Sequence, residues 1–225
     1  MRMIPAPDVL LVSAHLPELS GFRSILGEDL HKSVAGRNVV AAAVGIGIVS
    51  AAAGTAALLE RSDPSAVILV GTCGAYLGRG HAIGDVIVAR RLHLVSAAEV
   101  EGKGAFPGPM TIATDIDLAL STAFAECGAA ETRLATTLAV TTDDALAHRI
   151  ATAHACDVEH LEAFGVAWAC SKSRTPFGVV LGVANMVGAT AREEWKRHHD
   201  AAGSSAAALV ARWLTSGAPG LPLRT

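Results

Sequence analysis

Residues 66–75 read AVILVGTCGA, an apolar run followed by small residues. A continuous run of Ala, Val, Ile and Leu is typical of a strand that helices cover on both faces. The small residues Gly71–Ala75 predict a turn whose exposed N–H groups a ligand can approach closely. The stretch therefore predicts a central strand of an α/β sheet, with a candidate ligand loop at its carboxyl end.

Strands and helices alternate on both sides of this stretch. Further strands are predicted at Asp8–Ala14, Leu30–Ala35, Asn38–Val44, Gly84–Arg90, Thr132–Val140 and Phe177–Val183. Helices are predicted at Leu19–Leu26, Ile48–Arg61, Asp115–Cys127, Asp144–Ala155, Glu162–Ser173 and Arg192–Leu214, and a loop at His93–Met110. This order predicts one α/β domain over residues 1–216, a three-layer α/β/α fold with a central mixed sheet, followed by a tail at 217–225.

Composition excludes several classes of protein. The 225 residues are 51% hydrophobic and 17% charged, which is ample apolar content for a folded core. The net charge is −3 and the chain has no block of Lys or Arg, so we expect no nucleic-acid partner. Apolar stretches such as Val39–Val49 are far shorter than the roughly 20 residues of a membrane span, so we expect no membrane association.

The cysteines and the amino terminus indicate a reducing compartment. Cys73, Cys127, Cys156 and Cys170 show no CxxC spacing, and residues 1–5 (MRMIP) do not resemble a signal peptide. We therefore expect reduced thiols, no metal site and a cytoplasmic protein.

The glycines Gly45 and Gly47 invite a comparison with dinucleotide-binding loops. That fingerprint requires a Gly or Ala where this chain has Ser50, and an acidic residue at the end of the next strand. Here the acidic position falls in the loop around Asp63, before the strand. The two glycines more simply permit a tight turn from strand to helix, and we expect no NAD and no other cofactor.

Three polar residues follow predicted strands or open predicted helices, and each has two interpretations. Glu18 is either a solvated carboxylate of a first helical turn or a functional acid. Glu162 either caps its helix or accepts hydrogen bonds from a pair of sugar hydroxyls. Asn185 either caps the terminal segment or holds the edge of a ligand with its amide.

Other residues are less informative taken alone. Trp195 is predicted in the core, Phe106 fits a lid or an interface as well as packing, and His198 and His199 are interpreted as solvated. Asp143 and Asp144 are expected to cap the following helix.

Four segments, in this order, carry a family resemblance: Val44–Gly47 before an Ala-rich helix, Val70–Ala75, Gly84–Val88 and His160–Ala163. The chain resembles the nucleoside phosphorylase and nucleosidase superfamily from about Asp8 to Leu214. Residues 184–188 (ANMVG), followed by Trp195, look most like futalosine hydrolases. Those enzymes release hypoxanthine from futalosine in menaquinone biosynthesis, and they are similar in plan to methylthioadenosine/S-adenosylhomocysteine nucleosidases.

The resemblance implies an N-glycosyl hydrolase and a role for each matching residue. Glu18 falls where the nucleosidases keep the carboxylate that activates water, and Asn185 falls on the residue that meets the purine. The implied substrate-binding residues are Thr72, Cys73, Gly74, Leu161 and Glu162, with Phe106 and Trp195 as candidates for stacking on the base. A small purine nucleoside and a homo-oligomer, a dimer or larger, are the implied partners.

The chain departs from the family pattern at several positions. The adenine-cleaving nucleosidases have Asp where this chain has Asn185, and an amide cannot deliver a proton as a carboxylic acid does. His160 replaces the first Glu of its motif, and Ala145 stands near the place of an aromatic residue. Leu69 occupies the position of an Arg in related bacterial phosphorylases, which favours water over phosphate as the nucleophile.

Two other functions stay open at this point. One is phosphate-dependent cleavage of the nucleoside, using a cation that the sequence does not reveal. The other is nucleoside binding without turnover, which the departures at His160 and Ala145 favour.

Overall fold

The computed structural model describes residues 6–222, in which nine strands form one mixed sheet. The strands are β1 (Val9–Ser13), β2 (His31–Val34), β3 (Arg37–Ala43), β4 (Ala66–Ala75), β5 (Val86–Leu94), β6 (Ala113–Asp115), β7 (Ala130–Thr136), β8 (Val158–His160) and β9 (Phe177–Met186). The helices are α1 (Arg23–Leu26), α2 (Ile48–Ser62), α3 (Ala97–Val100), α4 (Leu118–Glu126), α5 (Asp144–Ala153), α6 (Ala163–Ser173) and α7 (Ala191–Thr215), with a 3₁₀ helix at Leu16–Phe22.

Alternation along β1 shows why the helices form two layers. Successive side chains of a strand point to opposite faces of the sheet. Leu11 packs in one hydrophobic cluster with Trp213 of α7, and Leu10 packs in another with Phe164 of α6. The sheet therefore separates α4 and α7 from α2 and α6, and the predicted α/β fold with a central mixed sheet is confirmed.

The sheet curls on itself around β4. Strand β4 pairs with β1, β9 and β8, and the pairings β9–β5, β5–β7 and β7–β8 close a ring of five strands. The sequence analysis did not foresee this closure. The ring draws the ends of β4, β8 and β9 to one edge of the sheet.

The predicted turn at Gly71–Ala75 is wrong, because β4 continues through Ala75. Strand β9 pairs with β4 from Val67 to Ala75, with a register shift between Cys73 and Gly74, and β8 pairs with its last two residues. These partners take up the backbone hydrogen-bonding groups that a turn would leave open.

Other boundaries differ more modestly. The first predicted helix is a 3₁₀ helix followed by the short α1, and the predicted strand at 132–140 ends at Thr136. Strand β8 was missed because its three residues carry too little periodicity. Residues 1–5 and 223–225, the outer ends of the predicted domain and tail, lie outside the described residues.

Helix α7 packs closely on β9 and reaches over the end of β4. A Cβ on Gly182 would lie 2.1 Å from the carbonyl oxygen of Ala202, so only glycine permits this approach. The first turns of α7 consequently cover the sheet edge at which β4 and β9 end. No helix within residues 6–222 has both the length and the apolar character that crossing a membrane requires.

Candidate active site

A cavity of about 820 Å³ opens at this edge of the sheet, beneath the start of α7. Eight of the nine residues proposed from the sequence line it: Glu18, Thr72, Cys73, Gly74, Leu161, Glu162, Asn185 and Trp195. Phe106 does not line the cavity; it lies in the loop that follows α3 and is partly exposed. Residues distant in sequence therefore share one cavity, and Phe106 is not placed to stack on its contents.

Glu18 lies in the 3₁₀ helix directly after β1 and reaches back over β4. Its Oε2 accepts a hydrogen bond from the backbone N–H of His15 at 3.2 Å. A Cβ on Gly71 would lie 3.0 Å from Oε1, so the absence of a side chain at Gly71 makes room for the carboxylate. Burial raises the pKa of Glu18, against the field of His160 and the N–H groups of His15 and Thr72.

Glu162 is buried at the start of α6, and it crosses the cavity floor to the turn before α2. Its Oε1 accepts a hydrogen bond from the backbone N–H of Gly47 at 2.7 Å. Gly45 and Gly47 both have positive φ, in agreement with the tight turn predicted there. The N–H of Gly47 thus fixes one carboxylate oxygen of Glu162, and Glu162 itself lines the cavity.

His160, the last residue of β8, binds the backbone at the start of α6. Its Nδ1 accepts hydrogen bonds from the backbone N–H groups of Glu162 and Ala163, both at 3.2 Å. Oε2 of Glu162 also lies 3.3 Å from Nδ1. A nitrogen that accepts two N–H groups presents its lone pair, so this last contact is not a hydrogen bond and the ring proton resides on Nε2.

Asn185 lies inside β9, one residue before its end, and not after the strand as predicted. Its Nδ2 donates to the carbonyl oxygen of Met186 at 2.9 Å. A Cβ on Gly74 would lie 2.7 Å from Nδ2, so the glycine is needed for this side chain to sit against β4. The second Nδ2 hydrogen and Oδ1 have no partner among the described residues and are available to a ligand.

One face of α7 forms the outer wall of the cavity. Nε1 of Trp195 donates to Oγ1 of Thr72 at 3.1 Å, and the indole stacks on the ring of His199 with centroids 4.3 Å apart. Trp195 is 41% exposed, so its predicted place in the core is wrong. His199, interpreted as solvated, is partly exposed and also lines the cavity with Arg192 and Lys196.

Glu159 is a buried cavity residue that the sequence analysis missed. It accepts hydrogen bonds from the N–H of Thr141 at 2.9 Å, from Oγ1 of Thr141 at 2.6 Å and from the hydroxyl of Tyr76 at 2.9 Å. Burial raises the pKa of this carboxyl, and those hydrogen bonds oppose the rise. Because its oxygens accept these hydrogen bonds, Glu159 holds the loop after β7 beside the cavity. Val140 and Thr142 of that loop line the cavity.

Cys73 and the possible metal ligands of the described residues complete the account of the cavity. Burial raises the pKa of the Cys73 thiol well above its usual range, so Cys73 lines the cavity as an uncharged thiol. Across residues 6–222, no group of three or more His, Cys, Asp or Glu side chains is placed to hold a metal ion.

Asp143 caps α5 as predicted, accepting from the N–H of Leu146, whereas Asp144 accepts from the N–H of Ala189.

Structures of similar fold come from bacterial nucleosidases. The 5′-methylthioadenosine/S-adenosylhomocysteine nucleosidase of Neisseria meningitidis has a TM-score of 0.80 at 21% identity, covering 92% of this chain and 98% of that one. The corresponding enzyme of Colwellia psychrerythraea, solved with adenine, has a TM-score of 0.82 at 19% identity, covering 99% and 100%. The futalosine hydrolase of Helicobacter pylori has a TM-score of 0.81 at 15% identity, covering 94% and 98%.

The family of the chain is established by a match to its sequence. No curated protein matches the chain. The model of the phosphorylase superfamily matches residues 4–215, almost the whole sequence. The chain therefore belongs to the phosphorylase superfamily.

Proposed function

We propose that the protein hydrolyses the N-glycosidic bond of a purine nucleoside. The observation that carries the proposal is the meeting of two carboxylates and one carboxamide, Glu18, Glu162 and Asn185, around one cavity. Cleavage of an N-glycoside builds positive charge on the sugar and negative charge on the departing base. Carboxylates beside the sugar and an amide donor beside the base stabilise both charges.

Each side chain has one task in this reaction. Glu162 accepts hydrogen bonds from the ribose 2′ and 3′ hydroxyls and fixes the ring. Glu18 accepts a proton from a water molecule, whose oxygen forms a bond to the anomeric carbon as the bond from that carbon to the purine nitrogen breaks. The bonding electrons leave with the base as a purine anion, to which the amide of Asn185 donates a hydrogen bond at N7. The anion then takes a proton from solvent, and Glu18 returns its own proton to solvent.

We further propose futalosine as the substrate, with hypoxanthine and dehypoxanthine futalosine as products. Residues 184–188 with Trp195 support this choice, as does the amide at Asn185, which suits a 6-oxopurine. The similar fold of the Helicobacter pylori futalosine hydrolase is compatible with it, and the similar Colwellia enzyme, solved with adenine, shows a purine bound to this fold. The proposal places the enzyme in the cytoplasm, in menaquinone biosynthesis, as a homo-oligomer built on the unit 1–216.

A base-release assay tests the proposal. The four substrates are futalosine, inosine, adenosine and methylthioadenosine, each with and without phosphate. We expect free purine in phosphate-free buffer, with futalosine cleaved fastest. Release that requires phosphate and yields a sugar 1-phosphate would establish phosphorolysis instead. Tight nucleoside binding without release in either buffer would establish a binding protein.

Hydrolysis is expected to fall at acidic pH through Glu18. Only the carboxylate form accepts a proton from water, and burial raises the pKa of this group. As pH falls through that raised pKa, Glu18 becomes protonated and kcat/KM declines. The acid limb of the kcat/KM profile should therefore lie above the ordinary pKa of a Glu carboxyl, about 4.3. A limb at or below that ordinary value would contradict the assignment of Glu18 as the base.

Gly71→Ala is expected to lower kcat/KM by about 10- to 10²-fold, because a displaced base loses its alignment. The new Cβ would meet the Glu18 carboxylate, while nothing in the backbone of β4 at this position requires glycine. Thermal unfolding should change little, since the crowded group is a side chain at a cavity. Gly104→Ala is the control, because its Cβ makes only ordinary contacts. Wild-type kinetics in Gly71→Ala would show that Glu18 does not need this position.

A further inference from the structure

His160 is a buried residue that the reaction described above does not use. It closes β8, has 6% of its surface exposed and lines the cavity together with Glu18 and Glu162. Its position beside both carboxylates makes its protonation pattern relevant to the chemistry of the cavity.

Nδ1 of His160 has a structural role. The two backbone N–H groups that it accepts belong to Glu162 and Ala163, the residues at the start of α6. Helix termini leave such N–H groups without intrahelical partners, and a side-chain acceptor stabilises them. The imidazole is therefore held in one orientation, and its hydrogen is assigned to Nε2.

Nε2 has no such role in the structure. No hydrogen bond reaches it from any described residue. The buried side-chain atoms that lack a partner within residues 6–222 are Thr55 Oγ1, Ser65 Oγ and His81 Nδ1, so Nε2 of His160 is not enclosed. The nitrogen opposite Nδ1 on a ring that lines the cavity thus presents an N–H to it.

Glu18 lines the same cavity as His160. Its oxygens are already approached by the backbone N–H groups of His15 and Thr72. No direct hydrogen bond joins the side chains of Glu18 and His160. A gap between an N–H donor and a carboxylate is suited to a water molecule that accepts from the first and donates to the second.

We propose that His160 is a catalytic residue of the hydrolysis, donating its Nε2–H to the oxygen of the attacking water. This inference rests on the proposed function. The water gives one proton to Glu18, uses one lone pair to bond to the anomeric carbon and accepts the Nε2–H with the other. His160 keeps its proton throughout. Its hydrogen bond strengthens as the water acquires hydroxide character, so it stabilises the transition state more than the ground state.

Two substitutions separate this role from the structural one. His160→Asn places an amide oxygen where Nδ1 stands, so it keeps the acceptor for the two backbone N–H groups and removes the Nε2–H. His160→Gln extends an amide nitrogen toward the place of Nε2, so it keeps a donor to the cavity and weakens the acceptor. His148→Asn, on the exposed face of α5, is the matched control.

We expect His160→Asn to lose about 10²-fold in kcat, the usual effect of removing one transition-state donor, with little change in KM or Tm. Titratable or charged side chains of other elements share the cavity and are unchanged in every variant: His15, Glu162, Arg192, Lys196, His199 and Asp200. His160→Gln should keep most of the activity but lose roughly 2–4 °C in Tm.

The results for these variants test the role of His160 separately from the proposed hydrolysis. Full activity in His160→Asn, or equal losses of activity in both variants, would overturn the role of His160. Nitrogen-15 NMR of the wild-type protein provides a test without turnover: a proton on Nε2 supports the proposal, and a proton on Nδ1 overturns it. A wild-type protein that releases no base would instead refute the proposed function.

Discussion

Glu18→Gln is expected to lower kcat by about 10²–10⁴-fold, the range lost when a positioned general base is removed. Gln has nearly the same shape as Glu, and its amide oxygen can still accept the hydrogen bond from the N–H of His15. What it loses is the ability to accept a proton from water. Single-turnover release of base measures the chemical step directly, while equilibrium binding of the nucleoside should stay within a few-fold of wild type.

Glu126→Gln is the matched control for this prediction. Glu126 is exposed at the end of α4, on the opposite side of the sheet from α6, and does not line the cavity. Its substitution should leave both binding and base release unchanged. Normal turnover by Glu18→Gln would show that another group activates the water.

Glu162→Gln is expected to reduce kcat/KM by about 10²–10³-fold. Two charged hydrogen bonds from the ribose hydroxyls become neutral ones, and hydrogen bonds to charged groups contribute about 1.5–3 kcal/mol each. The negative charge that stabilises the cationic sugar is also lost. The Gln oxygen can keep the hydrogen bond from the N–H of Gly47, so we expect the turn before α2 and the fold to persist.

A 2′-deoxynucleoside substrate tests whether Glu162 binds the ribose 2′-hydroxyl. If Glu162 binds that hydroxyl, the wild-type enzyme has a lower kcat/KM for the 2′-deoxynucleoside than for the nucleoside. For the Glu162→Gln variant, the same change of substrate lowers kcat/KM only a little further. The two losses would then be strongly non-additive, as expected for groups in direct contact. Fully additive losses would place the ribose away from Glu162.

Those two acids were singled out as candidates because each stands beside a local signal, and the family resemblance then implied their roles. Glu18 follows a predicted buried strand, and Glu162 opens an apolar helix. Parallel strands carry their ligand sites at their carboxyl ends, so residues just beyond such strands are expected to meet. The position of Asn185 was predictable in the same way, although β9 extends past it.

The outer wall of the cavity was harder to predict. Arg192, Trp195, Lys196 and His199 follow helical spacing, so the sequence does carry the information that they share one face of α7. It carries no information about which way that face points. The direction depends on the close contact between Gly182 and Ala202, a tertiary contact with no local signature.

Long-range pairing explains the other errors. The extension of β4 through Ala75 depends on β9, and the closed ring of strands depends on β8, which is too short to recognise. Glu159 was overlooked because its partners, Tyr76 and Thr141, are distant in sequence. Phe106 was proposed for stacking because Ala145 stands near the place of the family's aromatic residue, and the cavity wall contains Trp195 and His199 instead.

A crystal structure of Glu18→Gln with bound futalosine or inosine tests the central claim most directly. We predict that one ligand touches all three side chains: ribose hydroxyls on Glu162, the purine N7 on the amide of Asn185, and a water molecule between Gln at position 18 and the anomeric carbon. A nucleoside bound in another cavity, or one whose ribose lies away from Glu162, would contradict the account.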